Sequence, residues 1–349
     1  MRDIHQNLGR HRHPVWQVCL LLPLLLVACS PHERIEEFTG PTMGSLYTIK
    51  YVRTAGTAGA ARLKQETEAI LARLDRNLST YRPDSAITRF NQLPAGQCAE
   101  MPEDVRYLVA AGAGLSARTG GALDLTVKSL LDVWGFGPAG RVAQPPDAAQ
   151  IAVARARTGY QHLRIEGGQL CKDVDVQVDF NSIAAGYAVD LVSARLAELG
   201  AASHLVEITG ELRAQGRKPD GSSWRVAIEA PLENQRVPQE IVALDGWSTS
   251  TSGDYRNYFE RDGQRYSHTL DPRTGRPVTH RLAAVTVIVP SALQADGLST
   301  ALMVMGPEQG LAFARRQQLA ALFVIHDGQG FVTRKTGVFD QRFASGARP

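Results

Sequence analysis

Residues 172–200 read KDVDVQVDFNSIAAGYAVDLVSARLAELG and contain the clearest change of period in the chain. Over residues 172–180 polar and apolar side chains alternate, which is the two-residue period of a half-buried strand. Asn181-Ser182 follows, and both residue types are favoured at a helix N-cap. Residues 183–199 then carry apolar side chains at helical spacing, and Gly200 is typical of the position just past a helix end. The stretch therefore predicts a strand, a short turn and a helix.

The rest of the chain mixes strands and helices without the regular alternation of a parallel α/β sheet. Helices are predicted over 61–78, 103–117, 146–157, 292–305 and 309–319, and strands over 45–52, 205–215, 224–230, 285–289 and 321–325. Pro219-Asp220-Gly221 between two of these strands is a hairpin signal. The pattern predicts an α+β fold, with a subdomain boundary near residue 150.

The composition is that of a globular protein and excludes a disordered, collagenous or multi-span membrane chain. The 349 residues include 38 Lys and Arg against 35 Asp and Glu, with 44% hydrophobic and 21% charged residues. The formal charge of +3 lacks the cationic excess of a nucleic-acid binder. The length suits one large domain or two ordinary ones.

The N-terminus has the pattern of a bacterial lipoprotein signal. Basic residues precede an apolar run at 15–28, which is too short to span a bilayer because a span needs about 20 residues. The run ends in Leu26-Val27-Ala28-Cys29-Ser30, which resembles a lipobox. We expect a signal peptide over 1–28 that is removed, a lipidated tether over 29–40 and a folded domain over 41–349. A plain signal peptide with an incidental cysteine is the alternative.

Lipidation at Cys29 determines the expected location. Several acyl chains, palmitate among them, anchor a protein stably to a membrane. We therefore expect a lipid-anchored protein of the cell envelope that faces the periplasm from the inner membrane.

Cys98 and Cys171 are the cysteines left in the mature chain. An oxidising compartment lets such a pair form a disulfide, but sequence alone does not give the distance between their Cα atoms. A disulfide and two buried free thiols both stay open. Neither cysteine belongs to a CxxC motif, so a cysteine-based metal centre is not predicted.

Three stretches carry residue types suited to phosphate and cation chemistry. Asp179 precedes a predicted helix start, which suits either a phosphate or an ordinary capped turn. His268 stands among hydroxyls in the rigid turn 266–277, where it is either structural or catalytic. Asp296 and Thr300 lie four residues apart on one helix face. They are either hard oxygen ligands for Mg²⁺ or an ordinary Asp near a helix start with its neighbour.

Together these stretches resemble the ApbE-type flavin transferases, which are FAD:protein FMN transferases of bacterial envelopes. The matching segments are 42–45, 79–85, 121–124, 134–137, 179–190, 267–275 and 295–297. They occur in the family's order and cover almost all of the mature chain. The resemblance implies an ApbE-like fold, related to the T-fold, with a mixed sheet, helices and a cleft that binds FAD.

The resemblance also implies a site, residue by residue. The residues implied to contact FAD are Met43, Tyr81, Ala122, Leu123, Asp124, Asp179, Ala185 and Leu270. Those implied to hold Mg²⁺ are Ser182, through its backbone oxygen, Asp296 and Thr300. His268 matches the family's catalytic histidine.

The implied reaction is the attack of a Ser or Thr hydroxyl of an acceptor protein on the FMN phosphorus of FAD, with AMP leaving. An in-line attack needs no nucleophile from the enzyme. His268 would take the hydroxyl proton, since an unperturbed imidazole titrates near ~6.5. The implied acceptor is an envelope redox protein, such as a subunit of a sodium-pumping quinone reductase. No nucleic-acid partner is expected.

Some positions depart from the family's pattern. The family often has Lys at Ala185, Asp at Ser299 and small residues at Asn181-Ser182. The loss of a cation and of a carboxylate predicts looser binding of FAD and Mg²⁺. Two alternatives therefore stay open: an Mg²⁺-dependent FAD pyrophosphatase that releases FMN and AMP, and a lipoprotein that binds FAD without turnover.

Overall fold

The computed structural model describes residues 33–142, 144–232, 235, 237–254, 258–261, 264–328 and 330–343. The predicted signal peptide and Cys29 lie outside the described residues. Within them, none of the helices combines the length and the apolar character that crossing a membrane requires.

The elements follow one another along the chain. The strands are β1 (Arg34–Thr42), β2 (Ser45–Arg53), β3 (Cys98–Glu100), β4 (Leu163–Glu166), β5 (Gln169–Lys172), β6 (His204–Ile208), β7 (Glu211–Gln215), β8 (Trp224–Glu229), β9 (Pro238–Leu244), β10 (Trp247–Gly253), β11 (Tyr258–Arg261), β12 (Gln264–Ser267), β13 (Leu270–Asp271), β14 (Arg276–Pro277), β15 (Leu282–Val289), β16 (Ala320–Asp327) and β17 (Gly330–Lys335). The helices are α1 (Ala60–Leu78), α2 (Ala86–Asn91), α3 (Glu103–Thr119), α4 (Lys128–Trp134), α5 (Ala148–Arg155), α6 (Ala184–Glu198), α7 (Ala292–Arg316) and α8 (Gly337–Phe343). A 3₁₀ turn covers Tyr160–His162.

The central sheet has eight strands in the order β1-β2-β6-β7-β10-β15-β16-β17. Every neighbouring pair is antiparallel, so the α+β class is confirmed. The implied mixed sheet is instead antiparallel. Three of its pairs, β1–β2, β6–β7 and β16–β17, are joined by turns of a few residues, which only antiparallel strands permit.

Both faces of this sheet are covered. On β15, Val285 and Val287 pack with apolar residues of α1, α3, α6 and α7. The alternate residues Ala284 and Ile288 pack with the β8–β9 hairpin and α8 on the opposite face. Double burial explains why β15 and β16 are continuous apolar runs rather than alternating ones.

The strand predicted over 172–180 does not form beyond β5. After Lys172 the chain bends at residues 173–174, and its ladder pairing is a single bridge between Val127 and Gln177. The Asn91 side chain takes both backbone groups of Val178, at 2.8 Å each. These side-chain hydrogen bonds take the place of pairing with a neighbouring strand, and the local alternation of polar and apolar residues does not reveal them.

The predicted N-cap is also wrong. Helix α6 begins at Ala184 with Ile183 as N-cap and without a side-chain cap. Asn181-Ser182 forms a turn before it, because the Asp179 carboxylate accepts the Asn181 N–H at 2.8 Å. The helix end is confirmed, since Gly200 has a φ of +82°.

Other elements combine differently from the prediction. Residues 205–215 are two strands, β6 and β7, that reverse at Thr209-Gly210. Strand β8 pairs with β9, and the predicted hairpin with β7 is reduced to one bridge between Arg217 and Ser223. The separate helices predicted over 292–305 and 309–319 are confirmed, because the segment labelled α7 is interrupted at Gly306, whose φ of +77° is not helical, just before Pro307.

The chain organisation is simpler than predicted. Strand β1 begins at Arg34, so most of the expected tether up to residue 40 belongs to the sheet. The described residues from Glu33 onward cluster as one compact unit, without the boundary predicted near residue 150. Cys98 and Cys171 form a disulfide between directly opposite positions of β3 and β5, which decides between the two open alternatives.

Candidate functional site

Two neighbouring cavities contain all the residues that the resemblance implied. The first, of about 330 Å³, is called here the acidic cavity, and its lining includes Ala122, Leu123, Asp124, Asp179, Ser182, Glu211, His268, Leu270, Asp296 and Thr300. The second, of about 660 Å³, is called the Tyr81 cavity, and its lining includes Met43, Tyr81, Ala185 and Thr209. Asn181 lines both cavities, so they adjoin at the turn before α6.

Helices α6 and α7 are fastened to each other by Asp190. Its carboxylate accepts the Ala292 N–H at 2.9 Å, the Leu293 N–H at 3.1 Å and the Ser291 hydroxyl at 2.8 Å. An anionic group on these free N–H donors satisfies the start of α7. The last residue of the segment 179–190 therefore fixes the helix that carries Asp296 and Thr300.

Gly186 makes the contact between the two helices possible. A Cβ there would lie 2.3 Å from the Ala292 carbonyl oxygen and 2.8 Å from the Asp296 Cβ. The Gly186 N–H donates to Asp296 Oδ2 at 3.0 Å. Close backbone approach thus places the Asp296 carboxylate beside the start of α6.

Asp296 is a buried carboxylate with few donors. Its residue is 5% exposed, and the Gly186 N–H is the one donor to its side chain among the described residues. Burial, together with the nearby Glu211 carboxylate, raises the pKa of Asp296 well above its usual value. A cation in the acidic cavity would offset that cost of ionisation.

Glu211 was not predicted from the sequence. It opens β7 directly after the Thr209-Gly210 reversal, where Thr209 has a φ of +57°. The Thr209 hydroxyl donates to Glu211 Oε2 at 2.7 Å, and the Ser250 hydroxyl lies 3.4 Å from Oε1. Burial raises the pKa of Glu211. A glycine inside an apparent strand was the available signal, since it often marks a bend.

Two other predicted carboxylates are well supplied with donors. Asp179 accepts the Asn181 N–H at 2.8 Å, the Thr80 hydroxyl at 3.2 Å and the Asn181 side-chain amide at 3.2 Å. Asp124 accepts the Thr126 N–H and hydroxyl at 2.9 and 2.7 Å and the Tyr160 N–H at 2.9 Å. Burial still raises the pKa of both groups. Their geometry shapes the cavity wall.

His268 lines the acidic cavity from the turn after β12. Its ring meets Phe136 edge-on, with centroids 6.4 Å apart. The indole N–H of Trp134 donates to the Gly275 carbonyl at 2.8 Å and ties this turn to α4. The imidazole is therefore held at the cavity by a packed turn, and it shares that cavity with Asp296 and Thr300.

Ser299 does not face the acidic cavity. It is fully buried, and its hydroxyl lies 2.9 Å from that of Ser252 and 3.2 Å from that of Ser250. It also donates to the Asp296 carbonyl at 2.9 Å. The position that often carries Asp in the family is thus occupied here by part of a hydroxyl cluster.

The Tyr81 cavity has a different lining. Tyr81 is 65% exposed and Met43 is 38% exposed, so an aromatic ring and a flexible thioether stand open at its rim. Ala185 belongs to the first turn of α6 and is nearly buried. Such a surface suits a planar ring system.

The acidic cavity fits a hard cation. Asp296, Thr300 and Ser182 line the same cavity. Within the described residues the Asp296 carboxylate accepts one hydrogen bond, from the Gly186 N–H. Carboxylate, hydroxyl and carbonyl oxygens are the ligands that Mg²⁺ prefers, and Mg²⁺ commonly takes its remaining ligands from water and substrate phosphates.

Comparison with known proteins gives a consistent result. The family model of the ApbE family matches residues 43–323. A Vibrio cholerae protein named FAD:protein FMN transferase is 43% identical over 317 residues, which are 90% of this chain and 95% of that protein. A Klebsiella pneumoniae protein of the same name is 41% identical and is covered over 88% of its length, against 87% of this chain.

Solved structures of ApbE flavin transferases resemble this chain over most of its length. The apo form of the Pseudomonas stutzeri flavinyl transferase ApbE superposes with a TM-score of 0.85 at 63% identity, over 90% of this chain and 98% of that chain. The Vibrio cholerae flavin transferase ApbE gives a TM-score of 0.82 at 40% identity, over 89% and 99%.

Proposed function

This chain belongs to the ApbE family, and we propose that it transfers the FMN moiety of FAD to a Ser or Thr hydroxyl of an acceptor protein and releases AMP. The names of its relatives support this activity. The observation that carries the proposal is the meeting of His268, Asp296 and Thr300 in one cavity. The adjoining Tyr81 cavity gives the extended dinucleotide a second compartment.

The chain's own residues bind and orient FAD. The proposed contacts are Met43, Tyr81, Ala122, Leu123, Asp124, Asp179, Ala185 and Leu270, which line one or the other cavity. Asp179 and Asp124 each accept three hydrogen bonds from the protein, so they act by holding the wall rather than by moving a proton. Holding substrate and acceptor in line supplies much of the rate of phosphoryl transfer.

The cation site is proposed at Asp296, Thr300 and the backbone oxygen of Ser182. Bound there, Mg²⁺ would neutralise charge on the pyrophosphate. The support is the oxygen-only donor set and the carboxylate that lacks donors.

His268 is proposed to accept the proton of the acceptor hydroxyl. The bond formed joins that oxygen to the FMN phosphorus, and the bond broken joins this phosphorus to the AMP oxygen. AMP leaves with the electron pair of the broken bond. A positioned base contributes about 10²–10⁴-fold, and we expect His268→Ala to lose a comparable factor in single-turnover rate while FAD affinity stays within about twofold.

The test measures AMP, free FMN and acceptor-bound FMN after incubation with FAD, Mg²⁺ and an acceptor domain. AMP in equal amount to protein-bound FMN is expected. AMP with free FMN would replace the proposal by FAD hydrolysis, and FAD binding without either product would replace it by storage. His326→Ala is the matched control, because His326 packs against Phe331 at the edge of the central sheet and lines neither cavity.

We also propose that Cys29 is lipidated and anchors the chain to the periplasmic face of the inner membrane. The support is the sequence around Cys29, Leu-Val-Ala-Cys-Ser, together with a Cys98–Cys171 disulfide that suits an oxidising compartment. Palmitate labelling that disappears in Cys29→Ser is expected. Labelling of the variant would contradict the assignment. We also propose that the acceptor is an envelope redox protein, as the family resemblance implies.

A further inference from the structure

We propose that Glu211 is the second carboxylate of the cation site and supplies the charge that Ser299 does not. This inference rests on the proposed function and assigns an additional residue to its site. It begins from placement: Glu211 lines the acidic cavity together with Asp296, Thr300 and Ser182, although it comes from the sheet and the others come from α7 and the turn before α6.

Position 299, at which the family often carries a second acid, is a buried serine in this chain. Ser299 is 0% exposed, and its hydroxyl is engaged with Ser250, Ser252 and the Asp296 carbonyl. Ser250 also reaches Glu211 Oε1. The hydroxyl cluster therefore separates the buried position from the cavity and lies against the carboxylate that does face it.

The backbone before Glu211 is held in an unusual conformation. Thr209, a β-branched residue, has a φ of +57°, a strained conformation that persists only where surrounding contacts impose it. Its hydroxyl donates to Glu211 Oε2 at 2.7 Å, and its N–H donates to the Leu46 carbonyl at 3.1 Å. The turn thus aims the carboxylate at the cavity and fixes one of its oxygens.

Charge points to a cation as the occupant. Glu211 and Asp296 repel each other across one cavity, and Asp296 is 5% exposed with a carboxylate oxygen that has no donor within the described ranges. Two carboxylates in a low-dielectric site are stabilised by a shared divalent cation. Their hard oxygens select Mg²⁺ or Mn²⁺ over soft metals.

The test is a Mn²⁺ titration followed by electron paramagnetic resonance, on purified protein with and without FAD. Glu211→Gln keeps the shape and an acceptor for Thr209 but removes the charge. We expect its Mn²⁺ affinity to fall at least ~10-fold, in the range known for groups that support a metal site. Glu211→Asp should recover part of the loss.

The matched control is Glu207→Gln, which removes the same charge from an exposed position of the same hairpin. Its Mn²⁺ affinity should stay within about twofold of wild type, because exposed charges are screened. An equal loss of Mn²⁺ affinity in both variants would mean that Glu211 acts only through its long-range charge, which overturns its assignment as a ligand. Unchanged Mn²⁺ affinity in Glu211→Gln would overturn the inference as well.

Flavin transfer by the same samples separates this inference from the proposed function. Wild-type transfer with unchanged Mn²⁺ affinity in Glu211→Gln rejects the role of Glu211 alone. Absence of both Mn²⁺ binding and transfer in the wild type rejects the two together. Thermal unfolding of each variant shows whether a loss of Mn²⁺ affinity or of transfer comes from misfolding. If Glu211→Gln does not fold, Glu211→Asp is compared with Glu207→Gln instead.

Discussion

Two buried aspartates stand near the starts of the two helices that meet at the site, and their surroundings differ. Asp179, before α6, and Asp296, in α7, are each 5% exposed. Asp179 accepts three hydrogen bonds from Asn181 and Thr80. Among the described residues Asp296 accepts one, from Gly186, and it lines the same cavity as Glu211.

The difference separates a carboxylate that builds the site from one that is available for a ligand. Donors around Asp179 offset part of the cost of burying its charge, although burial still raises its pKa, since hydrogen bonds to a carboxylate favour its ionised form. The charge of Asp296 lacks that compensation among the described side chains and backbone groups. The two residues therefore give matched Asp→Asn variants with different expected consequences.

The largest expected effect is on Mg²⁺-dependent transfer. Asp296→Asn should lower the transfer rate by about 10³-fold, because a bound metal supplies several kcal/mol of charge stabilisation. Asp179→Asn should leave a measurable response to Mg²⁺, with a loss that appears mainly in FAD affinity. Rates measured over a Mg²⁺ series decide this; a full Mg²⁺ response in Asp296→Asn would remove Asp296 from the cation site.

The contact between the two helices should be sensitive to a single methyl group. Gly186→Ala should destabilise the protein by about 1–3 kcal/mol through overpacking against Ala292 and Asp296. The matched control is Gly114→Ala in α3, where a Cβ meets nothing within 4 Å and should add about 0.5–1 kcal/mol of stability. Denaturant unfolding measures the change in unfolding free energy, which should be negative for Gly186→Ala and positive for Gly114→Ala. Equal changes in the two variants would contradict the close approach of α6 and α7.

The smallest expected effect is on the stability of the metal-free protein. The pKa of Asp296 is raised in the folded state, so its ionisation destabilises the fold as the pH rises above the unfolded value near ~3.9. Asp296→Asn should therefore be more stable than wild type at neutral pH, by about 0.5–2 kcal/mol, and this gain should vanish near pH 4.

Thermal melts in EDTA at both pH values measure that gain. Asp179→Asn should instead lose stability, because an amide replaces one oxygen acceptor by a donor that faces other donors. A stabilised Asp179→Asn would erase the distinction between the two aspartates.

The sequence predicted the α+β class and several elements well, because their signals are local. Helix α1 and strand β15 have apolar spacing long enough to be unambiguous. The segment 172–180 was misread because the side chain of Asn91, from a distant helix, pairs with both backbone groups of Val178 in place of a neighbouring strand. No local pattern contains that information.

The site was predictable to the extent that its residues lie in continuous motifs. Residues 179–190 and Asp296 are such cases, and the structure brings them together through Asp190 and Gly186. Glu211 was missed because residues 205–215 were interpreted as one continuous strand, which left no place for the Thr209-Gly210 reversal. Its proximity to Asp296 depends on sheet pairing between segments far apart in sequence.

FMN transfer is tested most directly by the intact mass of an acceptor domain after incubation with residues 30–349, FAD and Mg²⁺. The acceptor should be one that takes FMN from the Vibrio cholerae relative in the same assay. We expect a mass increase of one FMN phosphoester on a Ser or Thr, lost with EDTA and in Asp296→Asn. An unmodified acceptor, with the relative's transfer intact, would contradict it.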